Sequence, residues 1–175
     1  DHEALTFVVN GLSKIAALPQ VKLGWIACAG PERRARGALA RLAVIADTYL
    51  SAAAPVQGAL PAILAATPAI QRRIQGRTRE NLGRLRKACR GSALTPLDVA
   101  GGWTALVRVP ALGDLDDLGW AARLVDREHL LTQPGYLYDL AAPHLALSLL
   151  APEDRFAEGV SRLVRAVDEV IASGP

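Results

Sequence analysis

The sequence predicts an α/β or α+β chain, and three observations carry that expectation. Short apolar runs of strand length alternate with longer stretches in which apolar residues recur at helical spacing. Breaker pairs separate them, as at Gly30-Pro31 and Pro134-Gly135. Apolar residues make up 51% of the 175 and charged ones 21%, so the chain can bury a core and is not disordered.

Taken in order, Leu5 to Asn10 reads as a buried strand running into an Asn10-Gly11 turn. Lys22 to Ala29 reads as a second strand, stopped by Gly30-Pro31. A helix is expected from Glu32 to about Leu50, with Leu39, Leu42, Ala43 and Ala46 on one side and Glu32 suited to its positive N-terminal end. Ser51 to Pro55 interrupts it, and a shorter apolar helix follows to about Ala66. Thr67-Pro68 reads as an N-cap and first helical proline, opening a basic helix that ends near Arg90 and Gly91.

Beyond Gly101-Gly102, Trp103 to Val109 reads as a strand closed by Pro110. Asp114 is placed to cap a helix with Leu115, Leu118, Ala122 and Val125 on its apolar face. Leu130 to Gln133 and Leu145 to Leu150 read as strands. A last helix places Phe156, Val160, Leu163, Val164, Val167 and Ile171 at three-four spacing. The composition changes near residue 92, so two domains are expected, 1–91 and 92–175.

Charge is uneven. Eight basic residues lie from Arg72 to Arg90 (Arg72, Arg73, Arg77, Arg79, Arg84, Arg86, Lys87, Arg90) against one acid, Glu80. Ile70, Ile74, Leu82 and Leu85 share roughly one face of that segment, which leaves the cations on the solvated side, and no aromatic residue interleaves to stack bases. Nucleic acid is therefore not the expected partner. No apolar run is long enough for a membrane span, and no signal peptide opens the chain. Cys28 and Cys89 are far apart without metal-ligand spacing, so reduced thiols in a cytoplasmic protein are the plain reading. The chain starts at Asp1, contains no methionine and enters its first apolar run at Leu5, which suggests a piece of a longer protein.

One stretch stands apart, from Asn10 to Trp25. Lys14 follows a strand and a glycine, among apolar neighbours whose burial of the amine would disfavour its charged form and favour a nucleophile. Lys22 stands beside Leu23 and Gly24, where a cation can meet a phosphate, and Ser13 adds a hydroxyl. By themselves these are also the features of a lysine in a surface turn.

Ser13-Lys14, Leu18-Pro19 and Lys22-Leu23-Gly24-Trp25 together resemble the cofactor-lysine motif of class I/II aminotransferases, the fold-type I pyridoxal-phosphate enzymes. Gly101-Gly102-Trp103, Gln133-Pro134-Gly135-Tyr136 and Leu147-Ser148-Leu149 are similar to that family's small domain, in the same order, so the resemblance spans essentially the whole chain. It implies the C-terminal part of the fold-type I large domain, with a long interdomain helix, in 1–91, and a small α+β domain in 92–175.

The resemblance further implies pyridoxal 5′-phosphate held by Lys14 as a Schiff base, its phosphate met by Lys22 with help from Ser13, and amino-acid and 2-oxo-acid substrates. A homodimer is implied for the full-length protein, with the segment Tyr49 to Gln57 a loose candidate for its interface. Three positions depart from the family pattern. Lys22 stands where arginine is usual and lacks the bidentate fork. Gly11 stands where serine is frequent. Ala146 stands where an arginine usually grips the substrate carboxylate, which leaves His144 as a weak candidate beside its ordinary reading as a surface histidine at a strand end.

The groups that complete such a site precede the lysine in that family, and only thirteen residues precede Lys14 here. The chain alone is therefore expected to be inactive. The competing functions are a non-catalytic sensor domain of a transcriptional regulator, which the missing arginine and the basic helix favour, and a nucleic-acid module built on Arg72 to Arg90.

Overall fold

The computed structural model describes residues 3–113 and 115–173. The chain divides into two units, Asp1–Arg73 and Ile74–Pro175. The division falls within one long helix, whereas the sequence reading set its boundary at that helix's end.

In the first unit, β1 (Thr6–Gly11) pairs antiparallel with β2 (Gly24–Ala29), Thr6 facing Ala29 and Gly11 facing Gly24. Between them lies the one-turn helix α1 (Leu12–Ile15). After Gly30-Pro31, α2 runs Glu32–Asp47 and packs beside β2. The expected burial of β1 is not observed: Phe7, Val8 and Val9 are 46%, 55% and 75% exposed. The Phe7-Val8-Val9 run puts apolar side chains on both faces of this strand, which suits a sheet covered on both sides, and among the described residues no layer covers it. Helix α2 likewise has no buried residue, with Leu39, Val44 and Ile45 exposed.

The expected break at Thr67-Pro68 is absent. A single helix, α3, runs Ala54–Ala88 with Pro61 and Pro68 inside it. Proline costs a helix one hydrogen bond and crowds the preceding turn. Here Thr67 is buried and does not cap: its hydroxyl donates to the Ile63 carbonyl one turn back. Packing holds the helix through both prolines. Val56, Leu60 and Ile63 pack on the apolar cluster of the first unit, and Leu82, Leu85 and Cys89 belong to that of the second.

The second unit carries a four-stranded antiparallel sheet of order β3-β4-β6-β5, formed by β3 (Thr95–Pro96), β4 (Thr104–Arg108), β5 (Gln133–Pro134) and β6 (His144–Ser148). Leu106 faces Ala146 and Arg108 faces His144. Ala105, Val107, Leu145 and Leu147 alternate onto one face. There they join Leu85 of α3 and Cys89 just beyond it, Trp120 and Leu124 of α4 (Asp117–Glu128), and Phe156, Val160, Leu163 and Val167 of α5 (Glu153–Ser173). Asn81, fully buried on α3, donates to the carbonyls of Leu149 (3.0 Å) and Ala151 (2.9 Å), fastening the helix to the link between β6 and α5.

Helix α4 corrects the expected phase. Trp120, Ala121 and Leu124 are buried, while Leu118 and Val125 are 56% and 42% exposed. Trp120 decides this, because it is the largest fully buried side chain and its indole N–H donates to the Pro110 carbonyl at 2.8 Å. The cap is Asp116, which accepts from the Gly119 N–H at 2.7 Å; the expected cap, Asp114, lies outside the described residues. The strand expected over Leu130 to Gln133 shrinks to Gln133–Pro134. His129, in the left-handed conformation, and Leu130 donate their backbone N–H groups to Val125 and Leu124, so these residues close α4 instead.

Candidate functional site

The stretch from Leu12 to Leu23 forms one closed loop between β1 and β2. The Leu12 N–H donates to Leu23 O at 2.9 Å, the Leu18 N–H donates to Leu12 O at 3.1 Å, and the Gln71 side chain donates to Ile15 O at 3.0 Å. Leu12, Ala16 and Leu23 turn inward onto Ile63, Leu60 and Val56 of α3. The loop's two ends meet at Gly11, where an added Cβ would lie 2.8 Å from Leu23 O and 3.1 Å from Gly24 Cα. A serine, or any residue with a Cβ, would push the ends apart.

Of the sequence-predicted residues, Ser13, Lys14 and Lys22 share this loop, and His144 does not. Ser13 is half-buried on α1, and Lys14 and Lys22 are exposed. Expected burial of Lys14 is not met by this chain's own residues, because its neighbours two positions away on either side, Leu12 and Ala16, take the inward side of the short helix. Lys22 and Ala17 hold φ of 54° and 55°, a conformation that costs L-residues about 1–2 kcal/mol and persists where the surroundings impose it. From Leu12 to Leu23 the loop carries two cations and no carboxylate, so its field favours an anion.

His144 and Ala146 lie in the second unit, on the sheet face opposite the core residues Leu145 and Leu147. His144 is not a surface residue. It is 7% exposed, Nδ1 lies 2.5 Å from the Ala142 carbonyl, and Gly135 packs so closely that a Cβ there would sit 2.7 Å from His144 Cβ. A ring whose Nδ1–H donates to a carbonyl offers, when neutral, only an acceptor at Nε2, which does not suit a carboxylate.

Sequence pattern does not single out Arg108. Its register opposite His144 puts it on the Ala146 face, and among the described residues no hydrogen bond or ion pair engages its side chain. Only the strand register reveals this, because in the sequence Arg108 is one exposed arginine among many. Asn81 was missed for the same reason: its burial follows from tertiary packing alone.

The basic stretch of α3 is partly spent on structure. Arg84 pairs with Glu153 at 2.8 Å, Arg86 with Asp98 at 3.3 Å, and Arg77 reaches the Leu150 carbonyl at 3.5 Å. No described helix is long and apolar enough to cross a membrane.

No family profile matches the chain, and no curated relative does. Solved structures do match. An alanine aminotransferase from Pyrococcus furiosus superposes with a TM-score of 0.77 at 19% identity, covering 97% of this chain and 44% of its own. An aminotransferase from Escherichia coli gives 0.76 at 22%, covering 95% and 43%. A tyrosine aminotransferase from Leishmania infantum gives 0.79 at 15%, covering 97% and 42%. The chain thus spans less than half the length of the structures it matches. The fold expected from the Ser13-Lys14 motif and the small-domain motifs is the fold observed: this chain has the fold-type I aminotransferase fold, over a portion of that fold's full length.

Proposed function

We propose that the chain is the C-terminal portion of a pyridoxal-phosphate-dependent aminotransferase, moving an amino group between an amino acid and a 2-oxo acid. The observation that carries the reading is the closed loop, which turns Lys14 outward at the end of β1 and presents Ser13 and Lys22 on the same short segment. Those residues fit the cofactor: an accessible primary amine for its aldehyde, and a second cation and a hydroxyl for its phosphate. When bound, pyridoxal phosphate supplies the electron sink for α-carbon chemistry.

Within this reading Lys14 holds the cofactor through its amine. With the cofactor bound, the Lys14 amine would also be placed to accept the proton from the substrate α-carbon and to give it back as the amino group is transferred. Lys22 anchors the phosphate as a point charge, with looser orientation than a bidentate arginine gives. Within the second unit, the Arg108 guanidinium suits a carboxylate better than His144, whose Nδ1 faces the Ala142 carbonyl. The divisions 1–91 and 92–175 become a large-domain part with its interdomain helix and a small domain. The bare apolar faces of β1 and α2 support a site that is complete only with the rest of the fold, and then as a homodimer.

Borohydride reduction after incubation with pyridoxal phosphate, followed by peptide mass mapping, tests the reading. It is run on the 175-residue chain and on the full-length protein, each beside Lys14→Ala. A phosphopyridoxyl group confined to Lys14 in the full-length protein is the expected result, with little on the shorter chain. Labelling that survives Lys14→Ala overturns the proposal. A second reading, ligand sensing without turnover, is favoured by Ala146. It predicts Lys14 labelling without amino transfer to any 2-oxo acid.

A further inference from the structure

The second unit contains a cleft that plays no part in the reading above. It lies between α5, the Leu130-Leu131 segment and the end of β6, with a volume of about 160 Å³. Its walls are apolar: Leu130, Leu147, Phe156, Val160 and Leu163. Gly159 shapes one wall, because a Cβ there would already stand 3.1 Å from Leu130 Cδ1, so the bare glycine lets the leucine close over the helix. The remaining lining is of another kind. Ser148 and Arg155 are exposed, and the Arg155 guanidinium makes no hydrogen bond or ion pair among the described residues. Leu131, 85% exposed, also borders the cleft.

We propose that this cleft binds a short apolar monocarboxylate, its hydrocarbon end among Leu147, Phe156 and Leu163 and its carboxylate on the Arg155 guanidinium, with the Ser148 hydroxyl as a second donor. Three features select that ligand class. The cleft's volume of about 160 Å³ accommodates a small branched acid. An apolar wall with few polar groups at one side is the usual build of a small-molecule site. The charged residue lining the cleft is a cation, planar and suited to a carboxylate, and no acidic side chain lines it. The inference is independent of Lys14 and stands or falls separately from the aminotransferase reading.

The test uses the 175-residue chain and 3-methylbutanoate, followed by nuclear magnetic resonance titration. Saturable shifts at residues around Leu130, Leu147 and Gly159 are expected, with Kd on the order of 1 mM for a ligand of this size. Arg155→Gln, an exposed change that leaves the core intact, is expected to weaken binding about tenfold. Gly159→Val fills the space and abolishes binding. 3-Methylbutanol, which keeps the shape and loses the charge, is expected to bind about tenfold more weakly than the acid. No saturable shift, equal binding of acid and alcohol, or unchanged affinity in Arg155→Gln overturns the proposal.

Discussion

Helices α2 and α5 are both sizeable amphipathic helices, yet they meet different fates. Over its sixteen residues α2 buries none, whereas α5, twenty-one residues long, buries Phe156, Val160, Leu163, Ala166 and Val167. The same contrast separates the two units. In the second, an apolar sheet face meets helices that cover it; in the first, β1 is exposed, β2 is only partly covered, and among the described residues the buried cluster is that of the Lys14 loop. An apolar stripe stabilises a helix only where a partner surface removes it from water. The difference between the units therefore lies in what is present to pack against, since both sequences carry the pattern.

Hydrogen exchange gives the largest expected separation. Amides of β4 and β6 are expected to exchange at least about a thousandfold more slowly than those of β1 and β2 in the 175-residue chain. Equal protection would mean that the first unit finds cover of its own, through self-association or a different packing.

Core truncation comes next. Trp120→Ala removes the largest fully buried side chain and the hydrogen bond to Pro110, and is expected to cost about 3–5 kcal/mol in urea unfolding. A loss below about 1 kcal/mol would show that the core is not built around α4. Asn81→Ala leaves the Leu149 and Ala151 carbonyls without their donor, for an expected loss of about 1–3 kcal/mol in the same assay.

Cys89 links the second core to pH. Burial raises its thiol pKa above the ordinary 9.0, since desolvation disfavours the thiolate. The folded state then holds its proton at a pH where the unfolded chain has lost it. This contribution is complete below the unfolded pKa and falls away as the pH rises toward the folded one. Stability is expected to decline above about pH 9 less steeply in Cys89→Ala than in the parent chain, read as unfolding midpoint against pH; identical slopes would rule out the thiol as the source. The smallest effect belongs to the first unit. Val44→Ser on α2, at a side chain 68% exposed, is expected to change stability by less than about 0.5 kcal/mol while reducing binding of an apolar dye.

The same contrast governs how much could be read in advance. Strand and helix types were legible for β1, β2, α2, β4, β6 and α5, because apolar periodicity and breaker pairs are local signals. The expected break at Thr67-Pro68 does not occur, since the local cost of proline is outweighed by apolar packing at both ends of α3. The phase of α4 differs from the one that Leu118 and Val125 suggest, because one indole sets the rotation. Of the candidate site, the identities of Ser13, Lys14 and Lys22 were legible as a motif, and their gathering onto one closed loop is observed. The outward direction of Lys14 and the burial of His144 were not legible.

By itself, then, the sequence determined the alternation of elements, the motif-bearing loop and the fold class, because these rest on near-neighbour pattern and residue chemistry. Tertiary structure alone decided that α3 runs unbroken through two prolines, that Asn81 is fully buried, and that Arg108 shares a sheet face with Ala146 and His144. Each of these depends on contacts between residues distant along the chain, where packing energies of several kcal/mol outweigh local preferences of about one.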